Sequence, residues 1–379
     1  MEHSKVNRIF VVRSMFLPNS AVNNRMMGHL KAFSQSGMEV EAAFISPNSR
    51  GDKVEESIPN VRFHYCWGKS KVRNRFVKRL FSYVWAIKYV LRLPTDASVL
   101  LLGVDEYMQL FLLRKDIKLY YETTEHPSLT RNARQISAYV KRCKRFKHIF
   151  VISRSLRQFF LEGGIPEDRL TIVNMTVDPS RFERIEKHSD KEPYVAYCGT
   201  VSNNKDGVDD LLRAFAITLQ THPDVKLYII GSIPDEAERA SNLKLIQDLQ
   251  IEDNVVLTGI VSATEMPQML KNAVVMALDR PDSLQAQNGF PTKLGEYLLT
   301  GNPVVVTKVG DIPLFLKDGE SALLCRDRNT SDFSSKLSWA LDHPEEAYEI
   351  GASGREIALK TFNYKNEGKK ILDAIRMAR

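Results

Sequence analysis

Short apolar runs alternate with amphipathic stretches along the whole chain. Residues 9–12 (IFVV) predict a buried strand. Residues 23–36 then carry Met26, Met27, Leu30 and Phe33 at helical spacing, and Gly37 is placed to end that helix. Strand-like runs recur at 40–45, 99–104, 118–122 and 149–152, each followed by a helical pattern. A charged, aperiodic stretch at 183–193 (ERIEKHSDKEP) reads as a linker. A second series follows, with strands at 194–198, 226–230, 255–258, 274–278 and 304–307. Residues 364–379 form one more helical pattern, with Ile371, Leu372 and Ile375 on one face. Such alternation predicts an α/β chain with parallel sheets covered on both faces. Two Rossmann-like domains are expected, residues 1–187 joined by 362–379, and residues 188–361. Ligands of such sheets sit beyond the carboxyl ends of the strands, so the chemistry is expected in a cleft between the two halves.

Bulk properties narrow the class. A chain of 379 residues exceeds what one core usually supports, and 43% hydrophobic with 26% charged residues excludes disordered and fibrous classes. No run approaches the roughly 18 apolar residues of a membrane span, and the first residues lack a secretory signal, which predicts a cytoplasmic location. Cys66, Cys143, Cys198 and Cys325 are dispersed and form no CxxC pair, so free thiols are expected, without disulfide or metal. The net charge of +7 suits a polyanionic partner. Residues 69–92 hold Lys69, Lys71, Arg73, Arg75, Lys78, Arg79, Lys88 and Arg92 with no acid, interleaved with Phe76, Phe81, Tyr83, Trp85 and Tyr89. Residues 141–147 (KRCKRFK) form a second basic cluster. Contact with an anionic membrane surface, each basic group adding about 1 kcal/mol there, is slightly favoured over aromatics in the core beneath a solvated charged face. Nucleic acid is not expected, because no binding motif accompanies the charge.

The most informative segment is 288–306, NGFPTKLGEYLLTGNPVVV. Gly289 suits a tight loop with unusual torsions, Pro291 suits a helix start, and 292–300 a short helix before a buried strand. Backbone N–H groups at such a start form a pocket for phosphate, helped by the helix dipole. Lys293 in the first turn opposes that dipole, which points to an anion it answers, and Glu296 is placed to accept hydrogen bonds from a ribose. A solvated helix with an incidental lysine and glutamate fits the pattern equally well.

This segment closely resembles the donor-binding signature of retaining glycosyltransferases of family 4, in the variant FPTKLGEYLxxGxPVV. The resemblance implies the GT-B architecture, two Rossmann-like domains facing each other across a cleft. It implies a retaining transfer from a UDP- or GDP-linked nucleotide sugar to a saccharide acceptor, in cell-surface polysaccharide or glycan biosynthesis. The second of the family's two glutamates matches Glu296, the ribose ligand; the first falls on Asn288, a departure at the position that contacts the transferred sugar. Gly289, Phe290, Pro291, Thr292 and Lys293 fall in the donor loop and helix start. Residues 197–207 (YCGTVSNNKDG) resemble the family's G-R-x-x-x-x-K-G element, with Lys205 as its lysine if Asp206 is an insertion, and Thr200 in place of the arginine. Residues 254–262 resemble the strand and loop beside the base, which places Ile260 and Val261 there. The resemblance is good over 194–361 and concerns only layout in the first half.

In the first half, residues 121–127 (YETTEHP) end a strand, and the resemblance implies that His126 approaches the transferred sugar with Glu125 beside it. A histidine that only caps the loop before Pro127 is an equal alternative. The loop 13–24 is polar, with Asn19, Ser20, Asn23 and Asn24, and Arg25 opens the next helix; a sugar, a phosphate or solvent suits it, and Asn23 is taken as an acceptor contact. Residues 174–182 (NMTVDPSRF) resemble a structural turn of the family. His126, Lys205 and Glu296 are thus the expected catalytic residues. The nucleotide sugar counts as substrate and no cofactor is expected; no DxD pair occurs, so a metal-bridged donor is not expected either. The basic clusters suggest a lipid-linked acceptor and a peripheral position on the inner face of the membrane. The departures at Asn288 and Thr200 leave open a catalytically silent nucleotide-sugar-binding partner subunit, and the layout leaves open a nucleotide-sugar epimerase. A nicotinamide dehydrogenase is disfavoured, since no GxGxxG follows the first strand of either half.

Overall fold

The structure, a computed structural model, describes residues 7–17, 20–47, 53–66, 74–188 and 192–378. The chain divides into two units, residues 1–176 with 364–379, and residues 177–363. In the first, the described residues form a parallel sheet of β1 (Arg8–Arg13), β2 (Glu39–Phe44), β3 (Val61–Tyr65), β4 (Ser98–Leu102), β5 (Lys118–Thr123), β6 (His148–Val151) and β7 (Leu170–Ile172). The strand order is β3-β2-β1-β4-β5-β6-β7. In the second, β8 (Tyr194–Cys198), β9 (Lys226–Ile230), β10 (Val255–Gly259), β11 (Val275–Leu278), β12 (Val304–Thr307) and β13 (Leu323–Cys325) pair in parallel, in the order β10-β9-β8-β11-β12-β13. Central strands are buried on both faces, as in β4, where every residue of SVLLL is buried. The strands β3, β7 and β13 escape the sequence pattern for physical reasons. The first is a half-exposed edge and the other two are three residues long, too short for periodicity to register.

The helix expected at 23–36 runs over Ala21–Gln35, because Ser20 Oγ accepts the Asn23 N–H at 3.3 Å and so sets the N-terminus. The last helix, Tyr364–Met377, returns to the first unit and lies on Ala21–Gln35. Their approach requires a glycine: a Cβ on Gly368 would lie 2.3 Å from that of Ala32. Glu367, only 1% exposed, accepts the Asn174 backbone N–H at 2.7 Å and meets Lys370 Nζ at 2.7 Å.

The two units part between Thr176 and Val177, ahead of the charged stretch at 183–193. Hydrogen bonds explain the difference. Val177 N donates to Phe362 O at 2.9 Å, Lys187 Nζ to Ala273 O at 3.0 Å, and His188 N to Asn272 Oδ1 at 3.0 Å, so 177–188 is bound into the second unit. Residues 189–191 of the expected linker lie outside the described residues.

Removing Glu367 leaves the Asn174 amide buried without its acceptor. Glu367→Ala is expected to destabilise the first unit by about 3 kcal/mol, read as a lower denaturant midpoint for that unit in chemical unfolding.

Candidate functional sites at the strand ends

In the second unit the strand order reverses between β8 and β11, and a crevice beyond their carboxyl ends is the expected ligand position. Helix Thr292–Leu299 is fixed there by Tyr297, whose buried hydroxyl accepts from Cys198 N at 2.6 Å and donates to Cys198 O at 2.9 Å. No side chain caps that helix and its first turn holds no acid. The Leu294 N–H turns back to Pro291 O at 3.1 Å, and those of Thr292 and Lys293 are left to a ligand or to solvent. The torsions of Gly289, φ −118° and ψ 177°, are ordinary extended backbone, contrary to the tight turn expected there. The ring of Phe290 is buried against Phe315 and Phe362, so at this position only the backbone is free to meet a donor. Pro291 is buried as well, and Thr292 is half-buried. Asn288 ends helix Leu284–Asn288, 6% exposed, with Nδ2 donating to Leu284 O at 2.8 Å.

The anion that Lys293 answers in this structure is internal. Its Nζ lies 2.6 Å from Asp206 Oδ2 and 2.8 Å from the Tyr197 hydroxyl, and Asp206 is 1% exposed. Burial lowers the Lys293 pKa and Asp206 opposes that shift. Asp206, read from sequence as an insertion, is thus the counter-ion of the expected donor lysine; nothing in its local sequence separates it from a solvated loop acid. Its short helix, Asn203–Asp206, ends at Gly207, which has φ +61° and lies so close to β11 that a Cβ would fall 1.8 Å from Asp279 O. No other residue fits there. Lys205 on the same turn is exposed, as is Thr200. Glu296 is likewise engaged, by Arg181 from the turn 174–182 that sequence reasoning treated as structural. Glu296 and Lys293 both act on Cys198, whose thiol burial pushes up to about 12, with Glu296 adding to the rise and Lys293 opposing it. The expected donor residues therefore gather round the end of β8. Ile260 and Val261 lie beyond the edge strand β10, Ile260 being 80% exposed.

Two residues just past β11 had no place in the sequence reading. Arg280 is buried, its Nη2 donating to Gln285 O at 3.1 Å. Asp279 is 3% exposed and among the described residues its Oδ2 has no hydrogen-bond partner. Burial, reinforced by Asp210, Asp327 and Asp209, raises its pKa to about 8.

In the first unit a concavity of about 380 Å³ opens at the carboxyl ends of β1, β4 and β5. Its floor is Glu122, 4% exposed, which accepts from Arg25 Nε at 2.7 Å and lies 3.2 Å from His29 Nε2. Burial pushes the Glu122 carboxyl up, but Arg25 and His29 outweigh it and hold the pKa at about 2. Arg25, expected to open the helix after the polar loop, lies inside that helix, is 3% exposed and also donates to the Val173 and Asn174 carbonyls. Glu125 is exposed at the rim. His126 lines the concavity and also caps the turn Pro127–Leu129, its Nδ1 2.6 Å from Ser128 Oγ and its ring edge-on to Phe159. Burial lowers its pKa. Asn23 does not line the wall. It is 2% exposed, with Oδ1 accepting from Arg13 Nε at 2.9 Å and Nδ2 donating to Leu17 O at 2.6 Å, so its place is behind Arg13. Asn19 lies outside the described residues.

The basic segments differ from each other. In helix Arg75–Arg92, Phe76, Leu80, Val84, Ile87 and Leu91 are exposed in one stripe, Phe76 at 82% and Leu91 at 69%. Lys88 and Arg92 are exposed too, while Trp85 and Tyr89 stack on each other half-buried. Lys69, Lys71 and Arg73 lie outside the described residues. In 141–147, by contrast, Cys143 and Phe146 point into the core and only the cations face out. Among the described residues no helix is long and apolar enough to cross a membrane.

Residues 179–357 match the family described as Glycosyl transferases group 1. Among curated proteins, the chain is 26% identical over 218 residues to "Trehalose synthase" of Pyrococcus horikoshii, covering 55% of this chain and 50% of that protein. It is 28% identical over 209 residues to "N-acetyl-alpha-D-glucosaminyl L-malate synthase" of Bacillus anthracis, covering 55% and 46%. The chain thus spans about half the length of these curated relatives. Among solved structures, Anabaena HepE in complex with UDP-glucose aligns with TM-score 0.72 and 14% identity over 97% of this chain and 98% of that one. That likeness shows the fold, the α/β GT-B architecture.

The raised acid in the second unit gives a pH test. An aspartate with folded pKa about 8 and ordinary value 3.8 costs nothing below pH 3.8 and destabilises progressively up to pH 8. Asp279→Asn is expected to raise the melting temperature, by an increment that grows from pH 4 to pH 8 and then levels off, in a calorimetric series.

Proposed function

We propose that this chain, whose residues 179–357 match the glycosyl transferases group 1, transfers a sugar from a nucleotide-sugar donor to a saccharide acceptor. The observation that carries this reading is the uncapped start of helix Thr292–Leu299 at the β8/β11 switch point, with Lys293, Glu296 and the exposed Lys205 grouped around it. A diphosphate meets the free N–H groups and Lys205, and the ribose hydroxyls meet Glu296, displacing Arg181. Lys293, held by Asp206, supplies a fixed dipole rather than a mobile charge. The Gly289–Phe290 backbone faces the diphosphate or the sugar, and Ile260 and Val261 lie beside the base. The UDP-glucose complex of HepE supports a nucleotide sugar as donor.

The transfer is retaining and needs no metal. Thr200 leaves the departing diphosphate with one fewer cation than the family pattern, which Lys205 and the helix start offset. The acceptor occupies the first unit, with Glu125 and His126 nearest the transferred sugar. The apolar stripe of Arg75–Arg92, about 27 Å long at 1.5 Å per residue, rests on an anionic membrane from the cytoplasmic side, and the acceptor is lipid-linked.

A thermal-shift titration with UDP, GDP, ADP and CDP, all in EDTA, tests the donor site. One nucleotide is expected to raise the melting temperature by mass action, and Glu296→Ala to abolish the rise. No shift with any of them defeats the donor assignment, and a shift without turnover on any acceptor moves the reading to a silent binding subunit. For the membrane surface, the double substitution Leu80→Ser and Leu91→Ser is expected to release the protein from sedimenting anionic vesicles while the nucleotide shift stays intact.

A further inference from the structure

The concavity of the first unit holds three arginines, and among the described residues only one has no acid paired with it. Arg25 is spent on Glu122, and Arg131 is paired with Asp105, which also accepts from the Tyr121 hydroxyl. Arg13, at the carboxyl end of β1 beside β4, is held among the described residues by neutral groups: Nε donates to Asn23 Oδ1 at 2.9 Å and Nη1 to Leu102 O at 3.3 Å. Asn23 is fixed in turn by Leu17 O, so the guanidinium is held in one orientation by a buried amide. The nearest acid acting on it, Glu122, already serves Arg25 and His29. Arg13 is half-buried, and a cation partly withdrawn from water against neutral acceptors is stabilised when an anion completes the site.

We infer that the acceptor carries a phosphate or carboxylate group, and that Arg13 binds it in the wall of this concavity. The inference rests on the glycosyltransferase reading, and it names the acceptor's chemical class. A guanidinium held at Nε and Nη1 still offers hydrogen bonds to an oxyanion, which a neutral sugar hydroxyl cannot match in strength. The remaining acid at the rim, exposed Glu125, follows β5, which stands two strands from β1. At about 4.8 Å per strand that separation is about 10 Å. One end of the concavity thus favours an anion, and the other, with Glu125 and His126, favours hydroxyl groups. An acceptor with a charged group at one end and a sugar ring at the other fits this polarity.

The test is calorimetric binding of the full chain to glucose 6-phosphate, to glucose, and to a prenyl-phosphoglucose in neutral detergent micelles. A phosphorylated probe is expected to bind at least about tenfold more tightly than glucose, with the preference lost in Arg13→Gln and partly restored in Arg13→Lys. Preference for the free sugar phosphate makes the acceptor soluble; preference confined to the micellar probe places the phosphate on a lipid; either supports the inference when it depends on Arg13. Equal binding of all three, or a phosphate preference that survives Arg13→Gln, overturns it. The nucleotide-dependent thermal shift in the same variants separates the outcomes. An intact shift without an anion preference defeats only this inference, whereas its loss in the wild type defeats the donor reading.

Discussion

A parallel strand buried on both faces has no room for chemistry along its length, and the placing of both candidate sites follows from that constraint. The sheets offer functional groups only where strands end, and both sheets reverse their order near the middle, at β1/β4 and β8/β11. The loops leaving those strands diverge, and the candidate residues collect there. Arg13 and Thr123 end β1 and β5 and Gly103 follows β4 in the first sheet, while Gly199, Asp279 and Arg280 follow β8 and β11 in the second.

Charge at both places is handled by enclosure. Lys293 with Asp206 and Arg25 with Glu122 bring opposite charges together where water is scarce, and Glu296 with Arg181 does so at a half-exposed position. Such pairs add little net stability, because desolvation offsets the attraction. Their effect here is geometric: each fixes a charged group relative to a strand end. Asp279 and Arg13 stand apart from this pattern, one holding a proton in place of a counter-ion and the other leaning on neutral oxygens.

The sequence was most legible where periodicity is long and burial is two-sided. Strands such as β4 and β8 and the helix at 292–299 read directly from apolar runs, the glycines and Pro291. The edge β3 and the three-residue β7 and β13 carried too little pattern. Among site residues, Lys293 and Glu296 stood out because their place on a helix start is a local property. Their partners did not, since Arg181 and Asp206 arrive from distant segments and each looks like an ordinary loop charge. Asn23 shows the converse: its polarity marked it for a ligand, while its neighbours in space commit it to Arg13 and Leu17. A polar residue in a loop announces a hydrogen bond without naming the partner.

The return of helix Tyr364–Met377 to Ala21–Gln35 bears on how the molecule is made. The first unit lacks its covering helix until all of 177–363 has been synthesised. Until then Leu30 and Phe33, on the same core as Ile371, Leu372 and Ile375, have no lid, and the Asn174 amide has no carboxylate. The usual order of biogenesis, in which an N-terminal domain folds while the rest is still on the ribosome, is therefore closed to this chain. An apolar face of the first unit therefore stays without its cover over the time needed to translate that intervening stretch.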